Sequence, residues 1–320
     1  MKRTWLPLAA TITVFVALFG VGGALYNHFL STLVLGDILG DNAFLIIAAI
    51  GANFVILSGG IDLSLGSMIG FVGVVMAKLD MFGWHPLASG ALMLAFGAGF
   101  GALQGLVIDF CEIQPFIVTL AGLFLLRGAC FMVTLDSLPL RHPFVSEFAA
   151  VALPLPGDGF LASSALAMFA ALAVAVVIAH KTSFGADVYA MGGDRTSAAL
   201  MGVPIRATTV KVYALGGLYS AFGGVIYALY TSSGYPLAGS GNELSAIAAV
   251  VLGGTLLTGG IGLVVGALFG GMILGLIATL INFNGSLNGA WIMISSGVLL
   301  FAFIVMQRAL VGSLTPRSAA

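Results

Sequence analysis

From Leu244 to Gln307 the chain carries no Asp, Glu, Lys or Arg. A stretch that long with no charge has no face to give to water, so it folds surrounded by lipid or by more of its own kind. The rest of the chain follows suit: it is 60% hydrophobic and 7% charged, against about 25% charged in an average soluble domain. Mean hydropathy is +1.15. These values exclude a water-soluble fold and predict an all-α integral membrane protein, with residues 1–320 forming one transmembrane domain. Forty-five glycines fit helices that pack closely or break inside the bilayer.

A helix needs about 20 apolar residues to cross the hydrocarbon core. Apolar runs over 5–25, 43–58, 66–78, 88–109, 116–135, 161–180, 209–230, 243–257, 261–283 and 289–307 give ten expected spans. The first, preceded by Met1-Lys2-Arg3, reads as an uncleaved helix because the run is long enough to span. Runs 43–58, 66–78 and 243–257 are short and flanked by Gly-rich polar sequence, as discontinuous helices beside a transport path are. Ten spans leave both termini on one side. With the N-terminus inside, that face receives Lys2, Arg3, Lys181, Arg195, Arg206, Lys211, Arg308 and Arg317, and the outer face only Lys78 and Arg141. The bias predicts N-in, C-in. Arg127 falls within a span, where a buried carboxylate partner or snorkelling to an interface would accommodate it.

A faint internal echo relates Gly60–Ser64 to Gly241–Ser245 and Gly101–Gly105 to Gly266–Gly270. Each pair lies five spans apart, which predicts an inverted repeat.

Enzyme chemistry finds little support. There is no GxxxxGK[ST] loop, no HExxH and no GxSxG elbow. Cys111 and Cys130 form neither a disulfide framework nor a metal set, and His28, His85, His142 and His180 are scattered near span boundaries. No catalytic residue, metal or nucleic-acid partner is expected. Ionisable and amide groups in the membrane are the candidates for a polar path: Asp62 and Glu243 at the two echo segments, with Asn53, Gln114, Thr119 and Asn242, and the ring of Phe116 for stacking. Asp62 also suits a helix cap, satisfying free N–H groups before the run that begins at Gly66.

One hydrophilic stretch interrupts the lipid-soluble chain, residues 181–208, on the predicted inner face. Within it Asp194–Met201 reads as a short helix, capped by Asp194, favoured by Ala198 and Ala199 and ended by Gly202. An exposed helix of small residues suits docking into a groove on a soluble partner.

The segments GGIDLSLGS (Gly59–Ser67), PFIVTLAG (Pro115–Gly122), YAMGGDRTSAALMGVPI (Tyr189–Ile205) and ELSAIAAVVLGGTLLTGGIG (Glu243–Gly262) resemble the ribose/xylose/galactose-type permease subunits of bacterial ATP-binding-cassette importers. The resemblance runs over about residues 40–305 and is strongest to a paired permease of a galactofuranose importer. It implies a multi-pass subunit of the bacterial inner membrane that works with a second permease, identical or a sister chain. It further implies ATPase subunits that bind the ATP and a periplasmic sugar-binding protein, so that this chain needs no cofactor. The loop would hold a coupling helix, with Asp194, Arg195, Thr196, Ala198, Ala199, Gly202 and Arg206 facing the ATPase. Asp194 stands where relatives usually have Asn, a departure that bears on the cap. Two rivals differ in class: an ion-coupled secondary sugar carrier, for which only Asp62 and Glu243 are candidate ion-binding carboxylates, and a membrane scaffold without its own path.

Overall fold

The structure is a computed structural model and describes residues 2–285 and 287–314, with side chains for 7–285 and 287–305. Arg317, counted above on the inner face, lies outside the described residues, as do the side chains of Lys2, Arg3 and Arg308.

Every apolar run is helical over most of its length, although 253–257 and 261–265 lie outside the helices. In chain order these are α1 (Lys2–Leu25), α2 (Thr32–Asp41), α3 (Ala43–Leu57), α4 (Leu65–Asp80), α5 (Pro86–Phe110), α6 (Pro115–Val133), α7 (Pro143–Ala150), α8 (Ser163–Lys181), α9 (Ser183–Gly193), α10 (Arg195–Leu200), α11 (Ile205–Thr231), α12 (Asn242–Leu252), α13 (Gly266–Asn284) and α14 (Ala290–Leu314). Among the described residues six helices are long and apolar enough to cross a membrane, or seven if α2 and α3 count as one span bent by 57°. This differs from the ten spans expected. With 16 and 11 residues, α4 and α12 fall below the bilayer thickness when taken as straight rods.

Three helices, α2, α7 and α9, were not read from the sequence. α2 carries Asp37 and Asp41, which interrupt the apolar pattern, so the run read from sequence begins only at residue 43. The bend falls at Asn42, whose side-chain amide donates to the Ile38 carbonyl at 2.8 Å and so competes with the helix ladder.

Two helices make the centre. α3 buries every residue but Phe44, as a helix apolar all round must. α11, 27 residues long, packs on α3, α4 and α5 together. Glycine sets these distances. A Cβ on Gly97 would stand 2.6 Å from the Gly217 carbonyl oxygen, and one on Gly101 would collide with the Tyr213 carbonyl, so α5 and α11 touch backbone to backbone. α12 and α13 meet the same way, Gly253 against Gly266 and Gly270 against the Ala249 carbonyl. In lipid, where expulsion of water does not drive helices together, such close dispersion contact holds the bundle.

Hydrogen bonds between distant segments define the bundle's two ends. At one end Thr11 Oγ1 donates to the Leu252 carbonyl (2.6 Å), the Gly260 N–H to the Leu57 carbonyl (2.9 Å) and Tyr189 Oη to the Gly262 carbonyl (3.0 Å). The 181–208 loop sits here. At the other end the Arg141 N–H donates to Asp80 Oδ2 (2.8 Å), Tyr230 Oη to Asp41 Oδ1 (2.5 Å) and Thr32 Oγ1 to the Pro156 carbonyl (2.8 Å).

The proline-bearing connection 136–160 is folded rather than a plain loop. It contains β1 (Leu138–Pro139) and α7, and its hairpin pairs β2 (Ala152–Pro154) antiparallel with β3 (Phe160–Ala162). β1 pairs with β4 (Ser233–Gly234) just beyond α11. These short strands are the non-helical regular structure that the all-α expectation did not include. His85 and His142, scattered in sequence, come together here with ring centroids 4.6 Å apart. Each Nδ1 accepts a backbone N–H two residues on, capping α5 and α7.

Candidate functional site

Polar groups buried among these helices collect where α3 hands over to α4. Gly59 takes φ +84°, a left-handed turn that lets residues 60–64 run extended into the bundle. Asp62 Oδ1 accepts from the Ser64 N–H at 2.8 Å and from Ser64 Oγ at 2.7 Å. The carboxylate thus closes the turn before α4 with one oxygen but does not cap the helix as the sequence suggested, because the N-cap position falls on Ser64. Among the described residues its other oxygen, Oδ2, has no hydrogen-bond partner. Ser64 Oγ also lies 3.3 Å from Gln104 Oε1 on α5, and Gln104 Nε2 is likewise unpartnered. Asp62 and Gln104 are 2% and 5% exposed, so neither free atom finds water at the surface. Thr119 joins from α6, its hydroxyl 2.9 Å from the Pro115 carbonyl and 3.4 Å from that of Ile61, while Tyr213 Oη on α11 donates to the Ile61 carbonyl at 3.3 Å. A buried polar atom without a partner costs about 1–3 kcal/mol. A free acceptor and a free donor in one buried cluster form a place where a hydroxyl or a water would be stabilised.

The second echo segment lies against the first. Glu243 Oε1 accepts from the Gly241 N–H at 3.2 Å across the first turn of α12, and among the described residues Oε2 has no hydrogen-bond partner. A Cβ on Gly66 of α4 would collide with Oε2. Asn242, beside it, is half-buried at the start of α12. The stretch leading to them hangs from Arg127: Nη1 donates to the carbonyls of Pro236 and Ala238, the latter at 2.9 Å. Neither expectation for Arg127 holds. Its partners are backbone carbonyls, because an irregular segment inside the bundle leaves acceptors that only a long donor can reach.

The remaining path candidates sit elsewhere. Asn53 is fully buried and uses both ends of its amide: Nδ2 donates to the Leu263 carbonyl (3.1 Å) and Oδ1 accepts from Thr255 Oγ1 (3.0 Å), tying α3 to the 253–265 connection. Gln114 is exposed at the start of α6, and the Phe116 ring is 49% exposed on its outer surface.

The 181–208 stretch forms α9 and α10. α10 spans Arg195–Leu200, within the helix read over 194–201, and Asp194 Oδ1 caps it by accepting from the Ser197 N–H at 2.6 Å. That bond holds the Asp194 carboxyl below the usual carboxylate range. Gly202, at φ +86°, turns the chain away. Ala198 is buried against the bundle, whereas Leu200 and Met201 are 85% and 73% exposed. α9 is held from the other side by Tyr189, whose phenol is pushed up to about 12 by burial. The sequence did not single out Asp109. It stands at the end of α5 with Arg195 Nη2 at 3.1 Å from Oδ1 and Arg206 Nε at 3.5 Å from Oδ2, so α5, α10 and α11 meet on one carboxylate. The groove beside it, about 660 Å³, is lined in part by Glu112, Gln114, Thr196 and Ala199. A charge at the edge of an apolar run looks like any interfacial charge, so only the fold distinguishes this one.

The family profile described as branched-chain amino acid transport system / permease component matches residues 34–304. The chain is 49% identical over 311 residues to the inner membrane ABC transporter permease protein YjfF of Escherichia coli (strain K12), covering 97% of this chain and 94% of that one. It is 33% identical over 316 residues to the fructose import permease protein FruG of Bifidobacterium longum (strain NCC 2705), covering 97% and 92%. It is also 33% identical over 308 residues to the ribose import permease protein RbsC of Escherichia coli (strain K12), covering 95% and 94%. No solved structure matches.

Proposed function

We infer the function from one premise: the chain belongs to the branched-chain amino acid transport system / permease component family, as a multi-pass membrane permease subunit and not an enzyme. Within that family we propose that it is the transmembrane subunit of an ATP-binding-cassette importer of the bacterial inner membrane, moving a monosaccharide. The observation that carries this reading is similarity over almost the whole chain to permeases named for ribose and fructose import. The family description names amino acids, but two of the three relatives above that match end to end are named for sugars, and a cluster with free donor and acceptor atoms suits hydroxyls.

The proposed topology has ten crossings, N-in and C-in, with the α2–α3 pair, α4, α12 and α14 among them. Support comes from the bonds at the two ends of the bundle and from the excess of Lys and Arg at the 181–208 end. That end would face the cytosol, where an ATPase pair hydrolyses ATP. α10 would be the coupling helix, its exposed Leu200 and Met201 seated in a groove of the ATPase. A second permease would complete the path and a periplasmic binding protein would deliver the sugar.

A mechanism follows from the connections. A push on α10 reaches α5 through the Arg195–Asp109 and Arg206–Asp109 pairs. Gln104 lies five residues back along α5, about 7.5 Å at 1.5 Å rise per residue. Movement of α5 therefore shifts Gln104 relative to Asp62 and Ser64, opening or closing the polar cluster. With few contacts available the site binds weakly, which suits release on the far side. The ion-coupled carrier is not favoured: none of the relatives named above is a carrier of that kind.

The test is reconstitution with the co-purifying ATPase and binding protein in proteoliposomes, with ribose, fructose, galactose and galactofuranose offered in turn. One sugar should stimulate hydrolysis and accumulate inside. Accumulation without any ATPase, or its collapse with a protonophore while ATP is held constant, would overturn the proposal.

A further inference from the structure

On the outside of the bundle, between α5, α8 and α11, two apolar hollows join into one groove. The first, about 370 Å³, reaches Ala171, Tyr219 and Phe222; the second, about 430 Å³, opens at Thr182 and Lys211; they share Ile178, Leu215 and Leu218. Tyr219 Oη donates to the Ala171 carbonyl at 3.0 Å, bridging α8 and α11 across the groove's inner end. That bridge spaces the two helices, so the hollow does not close by their sliding together.

Lys211 is the one charged residue among those lining either hollow. It is exposed, and among the described residues its ammonium has neither a carboxylate nor a hydrogen-bond partner, since both ion pairs found there belong to Asp109. From Lys211 to Phe222 is eleven residues of one helix, about 16 Å at 1.5 Å per residue. That is close to half of the roughly 30 Å hydrocarbon core, the depth of a single leaflet. A slot of leaflet depth, apolar throughout and headed by an uncompensated cation, is the shape and charge complement of one lipid.

We propose that this groove binds an anionic diacyl phospholipid, one acyl tail along α8 and α11 and the headgroup phosphate on Lys211. Assigning it to the inner leaflet rests on the topology above; the binding itself does not. Occupancy would couple lipid charge to the α8–α11 pair, and α11 carries Arg206 and Tyr213 of the sites already described.

The experiment uses the full-length chain, purified with its bound partners, exchanged into mixed micelles of dioleoyl phosphatidylglycerol and dioleoyl phosphatidylethanolamine, with retained lipid counted by native mass spectrometry. Wild type should hold the anionic lipid at least about fivefold over the zwitterionic one, the order expected of one lysine at an anionic headgroup. Lys211→Gln, a change at an exposed position, should bring the two to parity. Ala171→Leu, which fills the slot, should lower retention of both, and Lys78→Gln at the opposite end should change nothing. Equal retention by wild type and Lys211→Gln would overturn the proposal. So would displacement of the lipid by inorganic phosphate alone, which marks a free-anion site, or loss of lipid only on formation of a dimer, which marks a contact with a second copy.

Discussion

Replacing Asp109 by Asn separates what this carboxylate does for coupling from what it does for folding. The change keeps size and one acceptor oxygen, and removes both the second acceptor and the charge that Arg195 and Arg206 share. Those two side chains are 54% and 82% exposed and the Asp109 side chain 9%. Such screened pairs contribute about 0.2–1 kcal/mol each, so both together reach at most about 2 kcal/mol. At 1.36 kcal/mol per factor of ten, that is up to roughly a thirtyfold change in how often α10 is fixed to α5. It is too little to unfold a bundle whose helices are held by backbone-close packing. We therefore expect normal insertion and near-normal ATP hydrolysis, with sugar imported per ATP hydrolysed falling by several-fold to about thirtyfold in proteoliposomes. Asp109→Glu should recover most of the loss, and Asp109→Arg should be worse than Asn. An unchanged import-to-hydrolysis ratio in Asp109→Asn would refute the relay. Import and hydrolysis falling together with the amount of inserted protein would refute it too, because Asp109 would then matter for assembly alone.

Three further outcomes follow from single contacts. The Asp194 carboxyl is depressed in the folded state, so its capping of α10 is fully present above the ordinary carboxylate range and is lost as pH falls through the lowered value. The protection factor of the Ser197 amide should accordingly hold steady from neutral to mildly acidic pH and drop only below that range. Asp194→Ala should show low protection at every pH, and equal protection in that variant would show that the cap is inert. Gly270→Leu drives a side chain into the Ala249 carbonyl and should destabilise the purified protein by about 1–3 kcal/mol, read as a lowered thermal midpoint, whereas Gly297→Ala, with open space around it, should be silent. Arg127→Met strips the donor from the Pro236 and Ala238 carbonyls, each loss worth about 1–3 kcal/mol where no water replaces it. A cysteine placed at Leu237 should then become more reactive to maleimide, and unchanged labelling would mean that other contacts hold that segment.

Much of this was legible in the chain because a bilayer leaves little choice. Backbone groups in hydrocarbon must bond within their own segment, so each long apolar run is a helix in the fold as it was in the reading. α10 was legible too, since its cap Asp194 and its terminating Gly202 are local to the helix they bound. The losses occurred where sequence distance hides contact. Gln104 stood in the sequence only as one member of the Gly101–Gly105 echo, yet its Oε1 meets Ser64 beside Asp62 and, among the described residues, its Nε2 has no partner. Asn53 and Thr255, 202 residues apart, share a hydrogen bond that no periodicity announces. α2 escaped because two aspartates at its length read as an interruption, although one of them, Asp41, accepts from Tyr230 far along the chain.

Hydropathy by itself, then, determined that this protein lives in lipid as a set of helices, and four sequence motifs determined its kinship. Tertiary structure alone decided which polar groups meet: that Asp109 collects two arginines, that Arg127 holds backbone and not a carboxylate, and that a lone lysine heads a leaflet-deep groove. The reason is range. Burial and backbone bonding are set residue by residue along the chain, whereas a donor finds its acceptor only after the helices have packed.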